Sequence, residues 1–392
     1  MLKENWTYKK FSEVFNLQMG KTPSRDNLAY WGGNNVWVSI ADLKDKYIES
    51  SKEHITDIAV SESGINKVPQ GTAIMSFKLT IGRSAITKCD LFTNEAIMSF
   101  EPKEKNILAA DYIYYYLKGC KWTGANKAVM GQTLNKKTIS ENIFAYPSIE
   151  IQSRIVFELD LLQSIIDKQQ AQLKELDTLA QAVFYDMFGD PVENEKGWEV
   201  KKLEEIMSIP SRNGLTKPTA IRGTGVPMIS MGELFANPII KDSIKATLVP
   251  VSKKEIELSQ IIRGDLLFAR QSLSLEGAGK CSFVESCLQP TVFESHIIRI
   301  RVDNCVTHPR YVFYYFLSPY GKSEIRKRVY QVAAAGIKGS ELIKIPIPIP
   351  PLSLQQSFVE KIEAIEQQKA RIRQSIAETQ RLFDYTMDKY FG

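Results

Sequence analysis

The sequence has 392 residues, of which 44% are hydrophobic and 24% charged, with a formal net charge of +5. That make-up is that of a folded globular chain; no apolar run approaches the ~18 residues of a membrane span, and the polar start MLKENWTYKK is expected to be no signal peptide. The five cysteines, Cys89, Cys120, Cys281, Cys287 and Cys305, are odd in number and lack CxxC spacing, which predicts buried thiols in a reduced, cytoplasmic chain.

The chain opens on Trp6-Thr-Tyr-Lys-Lys-Phe-Ser-Glu-Val14, which reads as a strand leading into a short helical turn. Gly20-Lys-Thr-Pro-Ser-Arg25 follows as a polar loop punctuated by Gly and Pro, and runs into Tyr30-Trp-Gly-Gly33 and the apolar stretch Val36 to Leu43. Gly71 to Phe77 is a turn plus strand, Lys78 to Arg83 a Gly-containing basic loop, and Asn94 to Phe100 a strand. Asp111 to Leu117 predicts a short helix rich in tyrosine, and Tyr146-Pro147 closes the segment in extended backbone.

From Ser148 to Gly189 the pattern changes. Ile155, Leu159, Leu162, Ile166, Gln169, Leu173, Leu176, Ala180, Val183 and Met187 alternate spacings of four and three, the seam of a long helix packed on another helix. At 1.5 Å per residue that rod is about 60 Å long, and Gly189-Asp190-Pro191 ends it.

The plan then repeats. Trp198-Glu-Val-Lys-Lys-Leu-Glu-Glu-Ile206 matches the opening, Gly214-Leu-Thr-Lys-Pro218 and Gly225 to Leu234 match the loop and apolar stretch, and Gly264 to Arg270 matches the turn and strand. Arg270 to Lys280 is the second basic loop, Glu294 to Ile300 the second late strand, and Arg310 to Leu317 the second tyrosine-rich helix. Ile345-Pro-Ile-Pro-Ile-Pro-Pro351 leads to another seam: Phe358, Ile362, Ile365, Lys369, Ile372, Ile376, Thr379, Phe383, Thr386 and Tyr390, each 203 residues after its counterpart. Ser353 with Gln356 predicts a capping box for this helix, and Ser148 or Glu150 the start of the first. The expected fold class is therefore α+β: two strand-rich modules, 1–147 and 190–350, and two long spacer helices, 148–189 and 351–392, as one internal repeat. Lys and Arg outnumber Asp and Glu by 19 to 15 in 1–147 and by 22 to 17 in 190–350, while 148–189 carries 3 against 7. Positive charge sits on the modules, where a polyanion can be gripped.

Two variable modules, each followed by a proline-led long helix, resemble the DNA-specificity (S) subunit of type I restriction–modification systems. The residues that carry the likeness are Trp6 to Val14, Gly20-Lys-Thr-Pro23 with Trp31 and Trp37-Val-Ser-Ile40, the junction Ile349-Pro-Pro-Leu-Ser-Leu-Gln355, and the terminal Phe188-Gly189 and Phe391-Gly392. The junction departs from the family pattern at Ile151 and Leu354, which stand where it carries Glu. The resemblance covers essentially the whole chain. It implies two target-recognition domains reading double-stranded DNA as the halves of a split, asymmetric site. It also implies an intramolecular antiparallel coiled coil with pseudo-twofold symmetry that holds the domains and docks two DNA adenine-methyltransferase subunits, joined by a translocating endonuclease subunit. The chain itself would catalyse nothing and need no cofactor.

On that reading the candidate DNA contacts lie in the small, flexible, basic loops: Lys21, Thr22, Ser24 and Arg25; Lys78, Thr80 and Arg83; Gln132 and Lys136 in Gly131 to Lys137; and in the second module Arg212, Lys217, Arg222, Arg270, Gln271, Ser272, Lys280 and Lys338. Arg and Gln make bidentate contacts to guanine and adenine edges; the alternative for each loop is an ordinary surface turn. Arg326-Lys-Arg328 reads as a solvated helix face, and the tyrosines as a packed helix face rather than base-stacking platforms. His54, His296 and His308 have no acidic partner at ligand spacing. Gly279-Lys280 lacks the residues of a phosphate loop, Asn237-Pro-Ile-Ile240 lacks the aromatic of an amino-methyltransferase pocket, and no nucleophile, base and orienter are arranged together. The competing readings are the specificity subunit of a related restriction or modification system, and a protein scaffold that binds no DNA.

Overall fold

The structure, a computed structural model, describes residues 5–123, 126–128, 131–191, 193–331 and 334–392, the side chains of 126–128 and 131–133 excepted. Two compact units divide the chain: Met1–Gln170 together with Arg373–Gly392, and Ala171–Ile372. Each long helix, Ile149–Phe188 and Leu352–Phe391, begins in one unit and ends in the other.

The repeat seen in the sequence is a repeat of topology. In unit 1 a five-stranded sheet runs in the order Phe15–Met19, Ile97–Pro102, Ala73–Ser76, Ser84–Thr87, Tyr47–Ile48; in unit 2 the order is Met207–Asn213, Ile297–Val302, Leu266–Ala269, Cys281–Val284, Ile239–Ile240. Both sheets are antiparallel except at the last pair, which is parallel. A three-stranded sheet built on Trp31–Val38 in unit 1 has its match on Val226–Ile229 in unit 2. The first and last strands of each module form a two-stranded ribbon, Thr7–Lys10 with Ile143–Tyr146 and Glu199–Lys202 with Pro346–Ile349. A ribbon of two strands tolerates Pro346 and Pro348, because a strand with one free edge can lose ladder donors.

Tyrosine helices lock these ribbons. Tyr112 and Tyr116, four apart on Ala110–Gly119, donate their hydroxyls to the carbonyls of Ala145 and Ile143 at 2.8 and 3.0 Å. Tyr311 and Tyr315 on Pro309–Leu317 do the same to Pro348 and Pro346 at 2.6 and 2.5 Å. All four rings are buried, so they are core residues with a satisfied polar end, as their spacing predicts.

Every seam position is buried or half-buried on both helices. In unit 1, Ile155, Leu159, Leu162 and Ile166 share one core with Phe383, Met387, Tyr390 and Phe391 and with the module's own Tyr112, Tyr116 and Phe144. Glu158 accepts from the Tyr390 hydroxyl at 3.0 Å, and Gln169 donates to Ser375 at 2.7 Å. Numbers rise along one helix as they fall along the other, so the pair is antiparallel. In unit 2, Phe184 and Phe188 lie against Phe358 at ring distances of 5.7 and 5.1 Å, and buried Lys369 meets Asp177 and Glu366 at 2.7 Å each. Lys369 weakens the apolar seam as its sequence suggests, and two carboxylates compensate it. A single polar layer of this kind fixes register.

Gln152 and Gln355, also 203 apart, fasten helix to module. Gln152 donates to the carbonyls of Ile107 and Pro147 and accepts from the Ala109 amide; Gln355 donates to Pro350 and accepts from the Thr307 hydroxyl and His308 amide. Both side chains are fully buried. This anchor sets where the second helix starts: it begins at Leu352, with Pro351 in the place of Ser148, so Ser353 lies inside the first turn and forms no capping box. Ile151 and Leu354 beside the anchors pack partly buried on the two cores, which accounts for apolar residues there. The cysteines are free, but against the expectation of burial only Cys281 is buried; Cys89, Cys120 and Cys287 are half-buried and Cys305 is exposed. No described helix is long and apolar enough to cross a membrane.

Replacing Gln152 or Gln355 by Leu keeps the volume and orphans buried backbone groups, each worth about 1–3 kcal/mol. Either substitution is expected to destabilise its unit by about 3 kcal/mol or more, read as a shifted denaturation midpoint; a shift no larger than that of an exposed Gln368→Leu control contradicts the anchor.

Candidate nucleic-acid interface

The basic loops converge because two glycines let backbones touch. A Cβ on Gly20 would collide with the Thr93 and Asn94 carbonyls, and one on Gly214 with those of Phe293 and Glu294. That approach lets the Lys21 amide bond the Thr93 carbonyl at 2.8 Å, and Leu215 bond Phe293 at 2.8 Å. Around the same turn the Phe77 amide bonds Ala96 and the Phe77 carbonyl accepts from Leu134; in unit 2 Arg270 bonds His296 and accepts from Ile337. Each unit thus gathers three segments at one place: the first loop, the hairpin after the central strand, and the strand near 132 or 335. Lys78–Leu79 pairs with Gly131–Thr133, and Gln271–Ser272 with Ala335–Gly336.

Within these clusters the predicted residues fall into two groups. Some are held by the protein. Arg25 makes a bidentate pair with Glu53 at 2.5 and 3.0 Å and lies over the Trp31 ring at 3.8 Å. The Glu53 carboxylate raises the Arg25 pKa, and the guanidinium holds Glu53 below the usual carboxylate range. Thr22 donates to Glu95, whose pKa that bond depresses, with Lys78 and Arg25 adding to the effect. Lys21 reaches the Ser63 carbonyl at 2.5 Å. In unit 2, Lys217 pairs with Glu255 at 2.8 Å, a bond that pushes Glu255 down to about 2. Arg222 donates twice to the Lys217 carbonyl, Arg270 to that of Ser295, Lys280 to that of Phe235, and the Ser272 hydroxyl accepts from the Ser274 amide.

The others are open. Lys78, Arg83, Lys136, Arg212 and Lys338 form no ion pair among the described residues, and Ser24, Thr80, Arg83, Lys136, Arg212 and Lys338 are exposed, with Lys78 and Gln271 half-exposed. Arg212 sits on Met207–Asn213 opposite Arg299, and Lys136 opens the short helix Lys136–Glu141. Gln132 lies on Gly131–Thr133, and its side chain is outside the described residues. Sequence reasoning missed the acids Glu53, Glu95 and Glu255, which hold the loops in shape. Nothing local marks them, since their partners are 28, 73 and 38 residues away. Among the described residues no group of three or more His, Cys, Asp or Glu side chains is arranged to hold a metal ion.

The family described as type I restriction modification DNA specificity domain matches this chain twice, over residues 3–177 and 195–380. The MjaIX specificity subunit of Methanocaldococcus jannaschii, a type I restriction enzyme component, is 26% identical over 378 residues, which is 91% of this chain and 85% of that one. The EcoKI specificity subunit of Escherichia coli is 24% identical over 232 residues, 56% of this chain and 49% of that one. A chain from structural work on complex assembly and conformational transition of the type I R-M system superposes with TM-score 0.63 at 16% identity, covering 99% of this chain and 98% of that one. The S subunit from M. genitalium gives TM-score 0.52 at 13% identity, covering 99% and 96%.

Gly20→Ala or Gly214→Ala forces two backbones apart, and overpacking of this kind costs about 1–3 kcal/mol. Each substitution is expected to loosen only its own loop cluster, measured as faster amide exchange at Lys21 and Leu134 or at Leu215 and Ile337; unchanged exchange at these amides contradicts the assigned role of the glycines.

Proposed function

The chain belongs to the type I restriction–modification DNA specificity family, and from that premise we propose that it reads a bipartite, asymmetric DNA site for a methyltransferase and endonuclease assembly without catalysing a reaction itself. The observation that carries this reading is one loop cluster built twice on the same topology with unlike side chains. Base identity is legible chiefly in the major groove and must be read by side chains on a rigid support. Here the supports are the five-stranded sheets, and the loops are braced by internal ion pairs before DNA arrives.

The two groups of polar residues divide the work. Arg25, Thr22, Lys217 and Arg222 shape the loops. Lys78, Arg83, Lys136, Arg212, Gln271 and Lys338 meet phosphates and base edges. Because Lys78 and Gln271 occupy the same place in the two hairpins, the two halves of the site differ in sequence. The long helices supply the framework. An antiparallel pair shares the core of each module and so holds each reader stiffly on its own stretch of helix. DNA adenine-methyltransferase subunits dock on that framework and extrude the target base, and a translocating endonuclease subunit completes the assembly.

Binding weakens with salt roughly in proportion to the number of phosphates neutralised, about 0.9 unit of slope per charge. Arg83→Ala and Lys136→Ala are each expected to reduce the slope of log affinity against log salt by about one unit, whereas Arg25→Ala leaves the slope and loses sequence preference. Protection of DNA by the chain with its methyltransferase subunits should appear as two patches sensitive to the spacing between them. A single continuous patch indifferent to spacing would overturn the reading.

A further inference from the structure

The helical pair of unit 1 carries an apolar stripe that its own seam does not use. Phe157, Leu161 and Ile165, each four residues after the last, are 68%, 50% and 37% exposed. Leu382 and Tyr385 on the second helix are 52% and 67% exposed. Side chains three, four and seven apart share a helix face. Ile165 is four before Gln169 and Leu382 is seven after Ser375, and those two residues bond each other across the pair. Ile165 and Leu382 therefore flank one groove between the helices, and the stripe winds from there toward the outer face at Phe157, since each step of four turns a helix by about 40°. The module meets the pair beside the outer ends of the stripe, through Asp160, three after Phe157, to Lys46 and Tyr115 and through Asp388, three after Tyr385, to Lys121, and leaves all five apolar side chains exposed. Exposed Arg154, Lys168 and Lys389, against exposed Glu378 and the Asp388 already paired with Lys121, flank the stripe.

Unit 2 has the same groove without the stripe. Counting 203 residues on or back, the five positions become Glu360, Ala364, Gln368, Leu179 and Ala182, all exposed. One large apolar side chain remains of five. Contiguous exposed apolar patches on a folded chain mark places where another protein sits, and the basic flank suits an acidic helix of the occupant.

We infer that the two helical grooves bind the methyltransferase subunit unequally, the unit 1 groove tightly and the unit 2 groove weakly, so that a complex with one methyltransferase accumulates before the second subunit adds. The inference rests on the docking role proposed above and assigns an order to it. Each large apolar side chain removed from water contributes enough to change affinity by about tenfold, and four fewer of them separate the two steps by at least that factor.

The test titrates the system's DNA adenine-methyltransferase subunit into this chain and reads each stoichiometry by native mass spectrometry. Two steps at least about tenfold apart are expected. Leu161→Glu with Ile165→Glu, both exposed, should weaken the tight step by about tenfold or more and leave the other in place. Glu360→Phe with Gln368→Ile should tighten the weak step. Equal steps in the unaltered chain, or variants that shift both steps alike, would overturn the inequality while leaving docking intact. Absence of any complex would overturn the docking reading and the inequality with it.

Discussion

Everything in this chain depends on cores that neither the modules nor the helices can close alone. Tyr112 and Tyr116 of the first module have Phe391 as a ring neighbour at 5.6 Å in each case, and Tyr311 of the second lies between Phe184 and Phe188 at 5.8 and 4.8 Å. Leaving such rings in water would forfeit several kcal/mol of burial per unit, so the helix pair is part of each reader's interior rather than a handle attached to it. The same rings donate their hydroxyls to the ribbon from which the next helix departs. Reader, ribbon and rod are therefore one packed body within each unit.

That arrangement separates stability from specificity. Positions that repeat at a constant interval, such as Gln152 and Gln355 or the tyrosine pairs, hold the frame, and their chemistry is the same in both copies. Positions that differ between copies cluster on the loops gathered by Gly20 and Gly214. A frame of this kind tolerates changes in the loops, because the acids that brace them, Glu53 and Glu255, are themselves loop partners rather than core residues.

The helices and the duplication were legible because both leave local traces: a seam of alternating threes and fours is visible in a window of a few turns, and a constant offset is visible by comparison. The strands and the tyrosine helices were legible for the same reason. What could not be read was anything made by residues far apart. The bond between Thr22 and Glu95 spans 73 residues, and the collision that demands Gly20 is with Thr93. The capping box at Ser353 does not form, because Ser353 and Gln356 satisfy a local rule while the tertiary anchor at Gln355 decides where the helix starts. Nor did the sequence distinguish Arg25, engaged by Glu53, from Arg83, which forms no ion pair among the described residues.

The make-up of the units also imposes an order on synthesis. Ala171–Ile372 is a single stretch, so its core can form as soon as that stretch leaves the ribosome. Met1–Gln170 must wait for Arg373–Gly392, whose Phe383, Met387 and Phe391 complete its interior. At ~5–20 residues per second the interval is about 10 to 40 s, during which the earlier-made reader presents an open flank of aromatic rings. The part of the protein born first is the part that matures last.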